Sequence, residues 1–285
     1  MDPDKVTRDY LVKHTFYMIR RYGIRPRRWL GQNFIIEPKF IKEMLDAAGI
    51  GKGDVVLEVG AGLGTLTAAL AQRCKKVIAV EVDPSLVRVL RKSLQEDNVE
   101  IIQADILEYD PPSVDKVVSN VPYSIASPFT EKLLKDIKFK LAALTYQLEF
   151  AKRLYARPGY DDYSRLTILA NYYASVEPVR VVPPTYFVPR PRVFSELLRI
   201  RPREVKPFVV HDEELFFSLV RTLFSQRRRV LRQALRHALR NLGLGESLWK
   251  HALDELSDYA PKRIYELAPE EFARISNVIW HLMNS

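Results

Sequence analysis

An apolar run, Val55-Val56-Leu57-Glu58-Val59, passes directly into Gly60-Ala61-Gly62-Leu63-Gly64, and the residues from Gly64 onward read as a helix. This junction narrows the choice of fold more than any other feature of the chain. A buried strand that ends in glycines and turns into a helix brings bare backbone to the carboxyl end of a sheet, where a ligand can approach closely. A dinucleotide-binding fingerprint requires Gly or Ala at position 65. Thr65 stands there, and Gly64 makes the spacing G-x-G-x-G instead.

The pattern around the junction extends it into a sheet. Segments 54–59, 76–80, 99–103, 116–119 and 141–146 read as short apolar strands, and 64–73, 84–94 and 126–135 as the helices between them. Such alternation predicts an α/β fold, an open, mostly parallel sheet with helices on both faces. The Pro- and Val-rich stretch 176–200 closes that domain as strand and loop, and Pro202 and Pro207 mark a boundary. Segments 212–240 and 246–283 are helical in pattern. Residues 5–22 read as an amphipathic helix carrying Val6, Tyr10, Leu11, Tyr17 and Met18, and Arg25, Pro26, Arg27 and Arg28 then form a basic, extended approach to Trp29. The expected organisation is a basic N-terminal extension over 1–30, a ligand-binding domain over 31–205 and a helical domain over 206–285.

Three strand ends carry the chemistry. Glu81 closes the second strand, where a carboxylate can accept hydrogen bonds from both hydroxyls of a ribose. Asp105 ends the third strand, placed to accept from an adenine amine. The fourth strand runs into Asn120-Val121-Pro122-Tyr123. The lone pair of an adenine N6 amine is delocalised into the ring, which makes it a poor nucleophile. Two acceptors aimed at the amine hydrogens pull it toward tetrahedral geometry; the Asn120 side-chain carbonyl and the backbone carbonyl of Val121 or Pro122 can supply them. Pro122 fixes the loop, and Tyr123 offers a face on which an extruded base can stack. Such a site works by orientation, with no general base required. Taken singly, each residue is an ordinary polar strand end. Together, in this order after a G-x-G-x-G loop, they match the pattern of class I (Rossmann-like) methyltransferases, whose ligand has no pyrophosphate.

The chain as a whole resembles the universal small-subunit rRNA adenine dimethyltransferase family, in its archaeal branch. Six blocks match in order: Gly31-Gln32-Asn33-Phe34-Ile35, the Leu57–Thr67 loop, Glu81-Val82-Asp83, Asp105, Asn120–Tyr123, and Phe187–Val193. The blocks 147–151, 163–166 and 224–229 add to them, so the resemblance spans roughly residues 25–275. It implies that S-adenosylmethionine is the cofactor, covered by Gln32, Asn33 and Ile35, with Gly60 and Gly62 in its loop. Gly60 and Glu81 would meet its amino-acid and ribose ends, Asp105 would bind its adenine, and Asn120 would touch both cofactor and substrate. Phe187 would stack on the target base opposite Tyr123. Two adjacent adenosines near the 3′ end of small-subunit rRNA would each be dimethylated, late in subunit assembly. Ala61 and Val121 depart from residues common in the family, Pro and Leu, with side chains pointing away from the proposed chemistry.

Charge supports a polyanionic partner. The chain carries 44 Lys and Arg against 35 acids, net +9. The excess sits at two places: residues 1–30 hold eight basic and three acidic side chains, and residues 201–241 hold ten and four. Arg228, Arg232, Arg236 and Arg240 recur every fourth residue after Phe224, and like charges at that spacing repel unless phosphates neutralise them. With Arg227 they are the candidate RNA contacts; the alternative is a solvated helix face. Cys74 is the only cysteine, and the five histidines show no paired ligand spacing, so no metal is expected. No apolar run reaches membrane-spanning length and the N-terminus has no signal core, which predicts a cytoplasmic protein; the resemblance implies a pre-ribosomal small subunit as its partner, and the protein is expected to be monomeric. Two rival readings stand beside this one. The macrolide-resistance type methylates an adenine of large-subunit rRNA, and a binding protein on this fold would serve as an assembly or transcription factor without turnover.

Overall fold

The computed structural model describes residues 3–27 and 31–285, so the Arg28 and Trp29 end of the expected basic approach lies outside the described residues. The chain forms two compact units, one of Met1–Ala151 with Val176–Pro202 and the other of Lys152–Ser175 with Arg203–Ser285. The elements in order are α1 (Arg8–Arg21), β1 (Phe34–Ile35), α2 (Pro38–Ala48), β2 (Val55–Val59), α3 (Thr65–Ala71), β3 (Lys76–Glu81) and α4 (Pro84–Ser93). There follow β4 (Val99–Gln103), β5 (Lys116–Asn120), α5 (Ala126–Lys135), β6 (Leu141–Gln147), α6 (Leu148–Tyr155), α7 (Arg165–Tyr173), β7 (Ala174–Val182), β8 (Phe187–Val188) and β9 (Ser195–Pro202). The chain ends in α8 (Glu213–Phe224), α9 (Leu231–Asn241), α10 (Glu246–Glu255) and α11 (Pro269–Asn284).

The first unit is built on a seven-stranded sheet in the order β4-β3-β2-β5-β6-β9-β7. Strands β2 to β6 pair in parallel, and β9 runs antiparallel to β6. Apolar runs such as Leu141–Leu144 and Val77–Val80 are buried, as a parallel sheet covered on both faces requires. From β2 the chain moves outward through β3 to β4, then returns to place β5 on the other side of β2. The order therefore reverses between β2 and β5, and the crevice at the carboxyl ends of strands flanking such a reversal is where ligands bind in open α/β sheets. The expected five strands and three helices lie where the apolar pattern puts them, within one or two residues.

Local signals set the helices around that crevice. Asp83 caps α4, its Oδ1 accepting from the N–H of Ser85 at 2.9 Å, and Pro84 occupies the first helical position, where no N–H is needed. Helix α1 is integral to the first unit: Leu11 and Met18 are buried, and Met18 packs with Phe34 and Leu63. Tyr10 and Tyr17, grouped with them by spacing, face outward instead.

In the second unit, Tyr163 and Ile168 share an apolar core with Phe216, Leu219, Leu235 and Ile275, which is why segment 152–175 belongs here and not with residues 31–205. The expected continuous helix over 212–240 is two helices. Between α8 and α9 the backbone makes a bridge between Val230 and Arg263, and Arg227 and Arg229 accept from the N–H groups of Tyr265 and Ile264. Backbone groups committed to another segment cannot also serve an α-helical ladder, so the helix stops.

Candidate active site

Where β2 and β5 part, a cavity of about 310 Å³ opens over the glycine loop. Gln32, Asn33, Gly60, Gly62, Glu81, Asp105, Asn120 and Pro122 all line it, so eight of the expected site residues, spread over ninety positions of sequence, are brought to one crevice. Ile35 lines a smaller adjoining cavity of about 40 Å³, which shares Asn33, Gly60, Gly62 and Asn120 with the first.

Gly60 has a φ of +74°, and a Cβ there would fall 2.8 Å from Cγ of Pro122. Both the left-handed backbone and the contact exclude a side chain. Gly31 is under the same restriction: at φ +66°, its Cβ would lie 2.6 Å from the backbone nitrogen of Tyr123. The loop after β5 is thus seated directly against two glycines from other parts of the chain.

Glu81 is buried, 5% exposed, and accepts from two backbone groups, Gly62 N–H on Oε2 and Asp83 N–H on Oε1, each at 2.9 Å. Burial pushes its carboxyl above the ordinary range, while these two hydrogen bonds pull the other way. Its carboxylate therefore shapes the glycine loop and the start of α4 while facing the cavity. Asp105 accepts from Leu107 N–H on Oδ1 at 2.9 Å. Gln32 is locked at both ends of its amide: Nε2 donates to Oδ2 of Asp83 at 3.0 Å and Oε1 accepts from Arg27 N–H at 2.7 Å.

Asn120 ends β5 with its Nδ2 donating to the backbone carbonyl of Asn33 at 2.9 Å, which fixes the plane of the amide. Its Oδ1 is buried and has no hydrogen-bond partner among the described residues. An orphaned buried acceptor is costly and calls for a donor. The carbonyl of Pro122 accepts from Ile125 N–H, tying the loop into a turn. Tyr123 is half-buried, its hydroxyl 2.6 Å from Oγ of Ser195.

Phe187 stands elsewhere. At 2% exposure it is a core residue, packed edge-on against Phe40 of α2 at 6.1 Å, with its backbone in register against Ile35 of β1. Its ring lines neither of the two cavities, and its stacking on a target base opposite Tyr123 stays a proposal. The two-stranded β1–β8 sheet seats the ring in the apolar cluster beneath α2.

Residue-type reasoning passed over Glu58. It lines the smaller cavity, its Oε2 has no partner among the described residues, and burial, reinforced by the charge of Glu81, pushes its carboxyl up to about 8. A lone charge inside the apolar run Val55–Val59 was the available signal. Asp83 and Arg27, which tie the Gln32 segment down, were also not among the expected site residues.

A family model described as ribosomal RNA adenine dimethylase matches residues 24–279. The chain belongs to this family. A probable ribosomal RNA small subunit methyltransferase A of Pyrococcus abyssi is 42% identical over 266 residues, 93% of this chain and 96% of that protein. Among solved structures, a dimethyladenosine transferase from Plasmodium falciparum superposes with a TM-score of 0.73 at 29% identity, covering 84% of this chain and 94% of its own. The 23S rRNA methyltransferase ErmE superposes with a TM-score of 0.64, also at 29% identity, over 87% and 99%. The sheet is accordingly that of a methyltransferase, and a dimethylase of this family is an enzyme acting on ribosomal RNA adenine.

The five candidate RNA contacts belong to the second unit. Arg232, Arg236 and Arg240 lie on α9 and are exposed, while Arg227 and Arg228 fall in the connection before it, so the stripe of four on one helix is a stripe of three.

Proposed function

We propose that the protein transfers methyl groups from S-adenosylmethionine to N6 of adenosine in small-subunit ribosomal RNA, dimethylating two adjacent adenosines in a pre-ribosomal subunit. The observation that carries this is the orphaned Oδ1 of Asn120, held by the Asn33 contact in the lining of a cavity of about 310 Å³. The residues present fit the cofactor. Bare backbone at Gly60 and Gly62 admits its amino-acid end, the Glu81 carboxylate has lone pairs left for two ribose hydroxyls, and Asp105 accepts from its adenine amine. When bound, the cofactor supplies an electrophilic methyl group.

The chain's own contribution is orientation. Oδ1 of Asn120 accepts one hydrogen of the target amine, and a backbone carbonyl of the Val121–Pro122 loop accepts the other. The N6 lone pair is thereby drawn out of the ring plane, in a geometry set before the substrate arrives. After the first transfer one N–H is left, so a second transfer depends more heavily on stacking. That falls to Tyr123, with Phe187 on the opposite side of the base. The distribution of charge favours a phosphate backbone as partner, and we read the protein as a cytoplasmic monomer.

The test is incubation with purified ribosomal subunits and isotopically labelled cofactor, followed by mapping of labelled nucleosides by mass spectrometry. Dimethyladenosine in small-subunit RNA is the expected product. Label in large-subunit RNA alone would give the protein the specificity named for ErmE, and cofactor binding without label in any RNA would make it a non-catalytic factor.

A further inference from the structure

Two cavities of the second unit meet at one side chain. The first, about 330 Å³, is mainly apolar, walled by Tyr163 and the half-buried ring of Phe224 with Arg165 and Arg221 beside them. The second, about 250 Å³, is polar and bounded by Gly159, Arg228, Arg263 and Tyr265. Arg227 lines both.

Each wall is fixed in advance. Phe224 stacks on Phe272 at 5.3 Å and leans on Tyr163 at 5.7 Å, whose hydroxyl donates to the carbonyl of Leu267 at 2.7 Å. The Arg227 guanidinium donates to the backbone carbonyls of Asp161 at 2.9 Å and Tyr160 at 3.3 Å and lies over the ring of Tyr265. Its Nε is buried without a partner among the described residues. Arg263 donates to the carbonyl of Arg228 at 3.0 Å. Among the described residues no carboxylate pairs with Arg165, Arg221, Arg227, Arg228 or Arg263, although Asp161 lines the polar cavity. Five guanidinium groups and the single Asp161 carboxylate line the two joined hollows, an excess of positive charge that an anion relieves.

The shape of the pair selects among anions. Free phosphate would leave the apolar hollow empty, and an apolar ligand would leave the arginines unpaired. A nucleotide joins a flat apolar base to a phosphate and matches both. Bases within a duplex are stacked and present only their edges, so the base must be unpaired. We propose that the two cavities dock one unpaired nucleotide of the RNA, separate from the adenosine being methylated. Its base lies against Phe224 and its phosphate between Arg227, Arg228 and Arg263. This rests on the RNA-methylating reading and adds to it a second point at which the substrate is read.

The test combines kinetics with cross-linking on the full-length protein. Phe224→Leu keeps apolar volume while removing the aromatic face, and Arg228→Gln removes an exposed guanidinium from the proposed phosphate site. Each is expected to raise KM for small subunits by roughly five- to tenfold while leaving kcat and cofactor affinity unchanged, as weaker stacking or charge pairing away from the reacting atoms requires. Ultraviolet cross-linking of bound subunits should attach a nucleotide from an unpaired segment to a peptide holding Tyr163 or Phe224. Unchanged KM in both variants, at wild-type melting temperature, overturns the proposal, as do cross-links at these peptides only to paired RNA. If the wild-type protein methylates no RNA, the functional reading fails instead, and the cross-link still decides the pocket.

Discussion

Replacing Asn120 with Ala separates orientation from binding, because the two halves of its amide have different jobs. Loss of Nδ2 removes the 2.9 Å hydrogen bond to the Asn33 carbonyl, which steadies the segment over the cofactor cavity. A neutral hydrogen bond of this kind contributes about 0.5–1.5 kcal/mol, so cofactor affinity should fall by roughly two- to tenfold. Loss of Oδ1 removes an acceptor that has no partner among the described residues, the one the proposed function assigns to the target amine. Removing one preorganised polar group of an active site costs about 2.7–4 kcal/mol in the transition state, so the methyl-transfer step should slow by roughly 10²–10³. The assay is single-turnover methylation of small subunits at saturating cofactor, with cofactor affinity measured separately by calorimetry. A variant whose single-turnover rate stays within about threefold of wild type would refute the role given to Oδ1, because that interaction should be strongest in the transition state.

Glu81→Ala should weaken cofactor binding by about 1.5–3 kcal/mol and also lower the melting temperature, since the N–H groups of Gly62 and Asp83 lose their acceptor; calorimetry showing unchanged affinity would assign the loop to another ligand. Glu58, whose carboxyl is raised from 4.5 to about 8, stays protonated in the folded protein where the unfolded chain has already ionised. Stability should therefore fall as pH rises from about 4.5 to 8, and Glu58→Gln should flatten that decline; parallel melting-temperature profiles for the two proteins would exclude Glu58 as its source. Replacing Arg232, Arg236 and Arg240 with Gln should make the slope of log K for RNA against log salt shallower by up to ~0.7–0.9 for each phosphate no longer neutralised, with cofactor affinity unaffected. An unchanged slope would leave α9 with a merely solvated face.

What could be read in advance follows from how far each inference had to reach. Glu81, Asp105 and Asn120 were legible because strand ends in a parallel sheet converge on one edge, so a polar residue after an apolar run is already placed. Glu58 was not singled out, although a carboxylate among buried valines was in plain view. The burial of Phe187 was hidden for a different reason. Its surroundings, Val188 and the prolines after it, read as strand and loop, and its burial depends on Phe40 and Ile35, some 150 positions away. The break before α9 was equally hidden, because Gln226-Arg227-Arg228-Arg229 contains no helix breaker; the interruption is imposed by backbone bonds to residues 262–265. Tyr10 and Tyr17 fit the helical spacing of a core face, and only the packing of Leu11 and Met18 shows which side turns inward.

The close approach of Gly31 and Gly60 to Pro122 and Tyr123 limits how such an enzyme can be rebuilt. The segment before β1, the turn after β2 and the loop after β5 are interlocked pieces, each cut to the outline of the others with no room for a single added methyl group. A chimera that imports a new acceptor loop to change the substrate will therefore jam against the two glycine segments unless those are imported with it. Retargeting this chemistry is a matter of exchanging three pieces at once.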